Sequence, residues 1–188
     1  MGGVLEFSLF EDAEGDEASA LAAISAVVPD IDTKVLRSLG GRRIKDKAFF
    51  GDWYDAEGDA LLRLGRHRTR DGRELTDPCF EDLDSTGIVA GSSSIPDAGS
   101  GGQFAYAFSH TPYGLRAKPS VVQERFRKIR DIVLPPDLAH VILDWSHPRL
   151  PDASPYFAAG MEWWGVFLFT VHVPALGRLT GIAGSATD

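Results

Sequence analysis

The sequence predicts an α+β fold: one domain over residues 1–188, with a mixed, largely antiparallel sheet and two main helices on one face. Three observations favour this class. The length of 188 residues is typical of one domain. Hydrophobic residues make up 44% and charged residues 24%, which excludes disorder, collagen and coiled coil. Strand and helix patterns follow one another along the chain without a fixed repeat.

The N-terminal part predicts a strand followed by two helices. Residues 4–10 are rich in leucine, aromatic and β-branched side chains, and an acidic run ends this strand. Asp16 is the expected N-cap of a helix over 16–28, in which apolar side chains recur on one face and which Pro29 ends. A shorter helix is expected over 32–39, because two glycines follow it directly.

The middle of the chain predicts a hairpin and then a loop. Asp71-Gly72 is a favoured two-residue turn, so residues 58–76 are interpreted as a hairpin. A helix over 59–64 is the competing interpretation. Residues 90–102 are small, polar and rich in glycine and serine, which predicts a flexible loop.

Four strands and one long helix are expected after this loop. Residues 103–109 alternate between large aromatic and alanine side chains, which favours a strand. Ser120 is the expected cap of a helix over 121–133 with an apolar stripe. Further strands are predicted at 139–145, 163–173 and 178–183, and the last two form a hairpin near the centre of the sheet.

Composition restricts the classes of function and the compartment. Cys79 is the single cysteine, so neither a disulfide within the chain nor a cysteine-based zinc site is possible, and its acidic neighbours favour an inert thiol. No metal or cofactor motif is present. The net charge of −8 makes nucleic-acid binding unfavourable. The N-terminus lacks a signal-peptide pattern and no segment is long and apolar enough to span a bilayer, so a cytoplasmic protein is expected.

Histidines and aspartates near the C-terminal half suggest an alternative enzymatic function. His110, Asp144 and His147 would carry a small hydrolase if they met in space. His140 and Asp144 lie on a predicted strand, about 13 Å apart, so they cannot share one metal ion. Ser109 precedes His110, but no G-x-S-x-G elbow is present.

The segment from Arg63 to Arg73 is basic within an acidic chain. Its arginines could contact phosphates of a nucleotide or nucleic acid. Arginines on a hairpin more often form a solvated face or pair with nearby acids.

Acidic and aromatic residues suggest a binding surface, which is the leading hypothesis. Between residues 52 and 59, four carboxylates surround two large aromatic rings, and two adjacent tryptophans lie near the C-terminal strands. If 163–173 is a strand, the two tryptophans point to opposite faces and one of them is exposed. The expected contacts with a basic partner are Asp52, Trp53, Tyr54, Asp55, Glu57, Asp59, Trp163 and Trp164.

Two stretches resemble a known class of proteins. One runs from Leu61 to Arg68 before the Asp71-Gly72 turn, and the other runs from Gly160 to Phe169 through the paired tryptophans. In this order and on a chain of this size, they resemble the immunity proteins of bacterial polymorphic-toxin systems. The resemblance implies a small, acidic α+β protein that binds a toxin domain and neutralises it by covering its active site.

Overall fold

Helices and strands follow one another through the computed structural model, which describes residues 3–112, 114 and 116–186. The predicted α+β class is confirmed. In chain order the elements are β1 (Gly3–Phe10), α1 (Glu17–Val27), α2 (Thr33–Leu39), β2 (Arg42–Ile44), α3 (Asp46–Phe50), β3 (Tyr54–Asp55), β4 (Ala60–Leu61), β5 (Gly65–Thr69), β6 (Glu74–Thr76), β7 (Ile88–Ser93), α4 (Phe104–Ser109), α5 (Pro119–Val133), β8 (Val141–Asp144), α6 (Leu150–Ala153), α7 (Ala158–Trp163), β9 (Phe167–Val173) and β10 (Arg178–Ala186). Short 3-10 helices lie at Phe80–Asp84, Pro155–Phe157 and Pro174–Leu176.

An antiparallel sheet with the strand order β1-β10-β9-β8-β2 forms the centre of the fold. β9 and β10 pair in a hairpin in which Thr170 lies opposite Gly181, and both strands have neighbours on each side. The expected position of the C-terminal hairpin at the sheet centre is therefore confirmed. β9 is apolar on both faces because both faces are covered.

The two main helices lie on opposite faces of this sheet, which corrects the prediction that they share one face. α1 packs in a cluster that includes Leu168 and Ala183. α5 packs in a second cluster that includes Phe169 and Ile182. Successive strand residues point to opposite faces, so neighbours in sequence belong to different layers. A central strand that is apolar on both sides needs one helix layer on each of them.

The starts of the main helices differ in how they are capped. Asp16 caps α1 as predicted, since its Oδ1 accepts the backbone N–H of Ser19 at 2.8 Å. Ser120 does not cap α5, which corrects the prediction. α5 begins at Pro119, two residues before the predicted start at 121, because proline is favoured at the first helical position. The Ser120 hydroxyl instead donates to Asp84 on a neighbouring 3-10 helix.

Replacing Asp16 with alanine is expected to lower the melting temperature by about 3 °C, because the first turn of α1 loses its N–H acceptor. Calorimetry at neutral pH measures this shift. Asp30→Ala is the matched control, since Asp30 is also an exposed aspartate but caps no helix. Equal melting temperatures for the two variants would contradict the capping role.

Two small sheets lie beside the main one. β3 pairs with β4, and β5 lies between β6 and β7. Asp71 and Gly72 lie in the connection from β5 to β6, as predicted, but the two-residue turn is corrected to a three-residue loop over 70–72, since the N–H of Thr69 donates to the Arg73 oxygen at 2.9 Å. Gly72 closes this loop with a positive φ of 84°. The competing helix over 59–64 is wrong, because β4 occupies 60–61. The predicted loop over 90–102 is also corrected: its first residues belong to β7, which pairs with β5.

Two segments predicted as strands contain helices. Residues 103–109 include α4, where both alanines are buried together with Phe104 and Tyr106, so their alternation does not separate an inner from an outer face. The predicted strand over 163–173 starts only at Phe167. Trp163 ends α7, and Gly165, with a φ of 137°, separates that helix from β9. None of the helices in the described ranges is long and apolar enough to cross a membrane.

Candidate functional site

A cleft of about 590 Å³ opens between α3, the segment 51–57 and the C-terminal end of α5. Part of its lining is apolar, with contributions from Phe50, Leu134 and Pro135. Most of the predicted acidic contact residues line the same cleft. The cleft is therefore the candidate functional site, and it is called the acidic cleft below.

Four carboxylates give this cleft its negative charge: Asp46, Asp52, Asp55 and Glu57. Asp46 Oδ1 lies 2.8 Å from His140 Nε2. The other three form no ion pair within the described residues. Asp55 Oδ1 accepts the backbone N–H of Glu57 at 3.0 Å, which fixes the turn between them. Lys47 also lines the cleft but forms no ion pair with them, so within the described residues three carboxylates of the cleft are unpaired.

A network of buried and half-buried polar groups holds the floor of the acidic cleft. The Tyr54 hydroxyl donates to Asp59 Oδ1 at 2.7 Å, and Arg130 Nη1 donates to the same hydroxyl at 2.9 Å. Arg127 Nη2 donates to the backbone oxygen of Asp59 at 2.9 Å. Gln123 is fully buried and accepts the N–H of Leu61 at 2.6 Å. α5 therefore fixes the position of the residues that follow Tyr54.

Asp59 belongs to this network, although its side chain is 40% exposed, so its role as a partner contact stays a prediction. Burial opposes ionisation of Asp59. The hydrogen bond from Tyr54 and the guanidinium of Arg130 outweigh burial and hold the pKa of this carboxyl below its usual value. Arg127 and Arg130 both pair with it, so its charge is neutralised inside the protein.

The tryptophans are distributed differently from the prediction. Trp53 is 4% exposed and packs on Tyr106, and Trp164 is 6% exposed and donates through Nε1 to the His110 backbone oxygen at 2.7 Å. Neither ring can contact a partner, which corrects both predictions. Trp163 is 68% exposed, but it ends α7 and does not line the acidic cleft. One tryptophan of the adjacent pair is exposed as expected, although on a helix.

The three residues of the enzymatic alternative each have other partners. Asp144 is 2% exposed and accepts the backbone N–H groups of Gly102 at 2.9 Å and Ser146 at 3.0 Å. His147 Nδ1 accepts the N–H of Arg149 at 3.0 Å. His110 Nδ1 lies 2.7 Å from Ser109 Oγ. Within the described ranges no hydrogen bond joins any two of His110, Asp144 and His147, so the geometry does not support a shared catalytic centre.

The hydrogen bond between Ser109 and His110 has the opposite direction from that between a nucleophile and its general base. Ser109 Oγ also lies 2.6 Å from the Ala105 carbonyl oxygen, which can only accept. The single hydroxyl proton therefore goes to Ala105, and Nδ1–H of His110 donates to Ser109 Oγ. Burial, aided by the charge of Arg63, lowers the pKa of His110 to about 4. The imidazole is neutral at physiological pH and does not activate the hydroxyl.

The remaining candidates from the sequence have separate positions. Arg66 and Arg68 lie on the exposed face of β5, where Arg68 pairs with Glu74 at 3.5 Å. Burial, followed by the charge of Asp82, raises the pKa of the Cys79 thiol. No group of three or more histidine, cysteine, aspartate or glutamate side chains within the described residues could hold a metal ion.

Sequence reasoning missed Asp46, Arg130 and His140, which complete the acidic cleft around the predicted residues. Asp46 and His140 are 94 positions apart, and Tyr54 and Arg130 are 76 apart. One signal was present: Arg127 and Arg130 are three residues apart on α5, so they share a helix face away from the apolar stripe. Nothing in the sequence indicated which acids that face would meet.

The chain matches no protein-family model, no curated protein and no solved structure. The function is therefore inferred from the geometry and charge of the site.

Proposed function

We propose that this chain is a non-catalytic protein-binding module of the immunity type, which covers the active site of a basic toxin domain. The observation that carries the proposal is the acidic cleft, where Asp52, Asp55 and Glu57 form no ion pair among the described residues and outnumber Lys47, the one unpaired cation of the described lining. The half-buried Tyr54 lines the same cleft. A basic partner would supply the missing charges. The surplus of acidic residues in the chain would also steer such a partner toward the complex.

The lining of the acidic cleft suits a lysine or arginine side chain. The aliphatic stem of such a residue can lie on Phe50 and Pro135, while its charged end reaches the three carboxylates. Because Arg130 already fixes Tyr54, the cleft loses little conformational entropy when a partner binds.

The test is affinity capture from the native host with wild-type protein and two charge-matched variants. One variant combines Asp52→Asn, Asp55→Asn and Glu57→Gln in the acidic cleft. The control variant combines Glu11→Gln, Asp12→Asn and Glu14→Gln on the exposed segment after β1, where the same number of charges is removed. Wild-type and control proteins are expected to retain a basic protein that salt releases.

The affinity of the purified pair is then measured by isothermal titration calorimetry. Each neutralised contact is expected to cost a fraction of the binding energy, so the triple cleft variant should bind about tenfold to hundredfold more weakly. Immunity adds a second requirement: the captured protein must be toxic when expressed alone, and co-expression of the wild type must restore growth. Equal affinity of the two triple variants, or a captured protein without toxicity, would contradict the proposal.

A further inference from the structure

A second, smaller pocket lies away from the acidic cleft and has the opposite charge. It has a volume of about 300 Å³ and lies among Arg63, the 3-10 helix at Phe80–Asp84, the residues that follow α4 and the start of α5. Phe80 and Val122 contribute an apolar wall, and Thr111 contributes a hydroxyl. This volume is at the small end of the range of ligand pockets, so it suits a molecule with one ring or a short branched chain.

Arg63 gives this pocket an uncompensated positive charge. The side chain is half-buried, and its guanidinium has neither a hydrogen bond nor an ion pair among the described residues. Among the residues that the structure describes, no carboxylate lines the pocket, although the chain has 27 acidic residues. A guanidinium carries five N–H donors, and none of the Arg63 nitrogens is buried without a partner, so they remain open to water and to a ligand. The pocket thus offers paired donors to an anion.

His110 supplies a hydrogen-bond acceptor in the same pocket. Its Nδ1–H donates to Ser109, so its Nε2 carries a lone pair. No group in the described part of the chain donates to that nitrogen. The ring is held in place because it stacks on Tyr106 at 5.3 Å with an interplanar angle of 11°. An acceptor with a fixed direction beside a free cation selects a ligand that has both an anionic group and a donor.

We propose that this pocket binds a small hydroxy carboxylate with an apolar body. The carboxylate accepts two N–H groups of Arg63 in a paired arrangement. The ligand hydroxyl donates to Nε2 of His110. The apolar part lies on Phe80 and Val122. This site is independent of the acidic cleft, so the protein could bind such a ligand whether or not it is an immunity protein.

Three probes of similar shape separate the two polar contacts: mandelate carries both groups, phenylacetate carries only the carboxylate, and 1-phenylethane-1,2-diol carries only hydroxyls. Titrations of the full chain are followed by NMR, with the nitrogen shift of His110 Nε2 as a local readout. One enantiomer of mandelate is expected to bind most tightly and to move the Nε2 signal. Phenylacetate is expected to bind about tenfold more weakly, and the diol more weakly still.

Variants assign each contact. Arg63→Gln is expected to weaken mandelate binding about tenfold or more, whereas Arg66→Gln, which removes an exposed arginine outside the pocket, leaves it unchanged. His110→Phe keeps an aromatic ring against Tyr106 and is expected to abolish the preference for mandelate over phenylacetate. Circular dichroism confirms that each variant is folded. The proposal is overturned if no probe shifts the pocket resonances, if Arg63→Gln binds as tightly as wild type, or if mandelate and phenylacetate bind wild type equally.

Discussion

Replacing Asp144 with alanine is expected to lower the free energy of unfolding by about 3 kcal/mol, because two backbone N–H groups and one guanidinium lose their acceptor. Asp144 is 2% exposed, and its carboxylate binds the N–H groups of Gly102 and Ser146 and Nη2 of Arg42. The N–H of Gly102 is buried, so water cannot replace the lost oxygen at that end. The same residue was a candidate catalytic group in the sequence, and this large effect would mark it as structural.

The backbone conformation of Gly102 explains why this segment needs the hydrogen bond to Asp144. Gly102 has a φ of +64°, and a Cβ at this position would lie 2.1 Å from the Ala48 carbonyl oxygen. The next residue, Gln103, accepts the N–H of Asp52 at 3.2 Å through its side chain. Asp144 therefore holds a segment that reaches the acidic cleft, and its loss should affect the position of Asp52 as well as stability.

Urea unfolding of three variants checks this interpretation. Asp144→Asn keeps one oxygen acceptor and the shape of the side chain, so it should lose about half as much stability as Asp144→Ala. Arg42→Ala should cost less than Asp144→Ala, because the buried carboxylate then keeps its two backbone N–H donors and the Arg42 side chain itself is 67% exposed. If Asp144→Ala unfolded at the same urea concentration as wild type, the stabilising role of the Asp144 carboxylate would be refuted.

The sequence predicted correctly those helices and strands whose buried and exposed residues follow a regular local pattern. α1 has a cap and an apolar face, and β9 and β10 form a continuous apolar hairpin, so each could be recognised from its own residues. α4 could not be recognised in this way. Phe104, Ala105 and Tyr106 are all buried, and a segment surrounded by protein on every side loses the inside–outside signal that distinguishes a helix from a strand.

The sequence predicted those residues of the acidic cleft that lie close together along the chain. Asp52, Asp55 and Glu57 follow one another closely, so their common position required no long-range contact. The neutralisation of Asp59 by two arginines of α5 depends on tertiary packing, as does the burial of Trp53. Charge and aromatic content thus indicated the kind of surface, while the fold decided which members of the set reach the solvent.

The second large predicted effect is a loss of folding stability at acidic pH. The stability of the wild-type protein is expected to fall by about 2.5 kcal/mol between pH 7 and pH 4.5 through His110 alone. Burial, and then the charge of Arg63, lowers the pKa of His110 to about 4, compared with 6.5 for an ordinary histidine. Between these two values the unfolded chain binds a proton that the folded protein does not, so a falling pH favours unfolding. Well above pH 6.5 the histidine is neutral in both states, and this loss of stability is absent.

Removing the imidazole should remove this part of the pH dependence. In His110→Phe, Ser109 Oγ can still donate to Ala105, so the variant should fold and should lose less stability than wild type over the same pH range. The free energy of unfolding, measured by urea titration at several pH values for both proteins, isolates the histidine because their carboxylates are the same. NMR of the folded protein gives an independent readout, since the His110 ring should not titrate above pH 5. Parallel pH curves for the two proteins would refute this prediction, because a neutral buried imidazole must leave a histidine-dependent slope between pH 6.5 and pH 4.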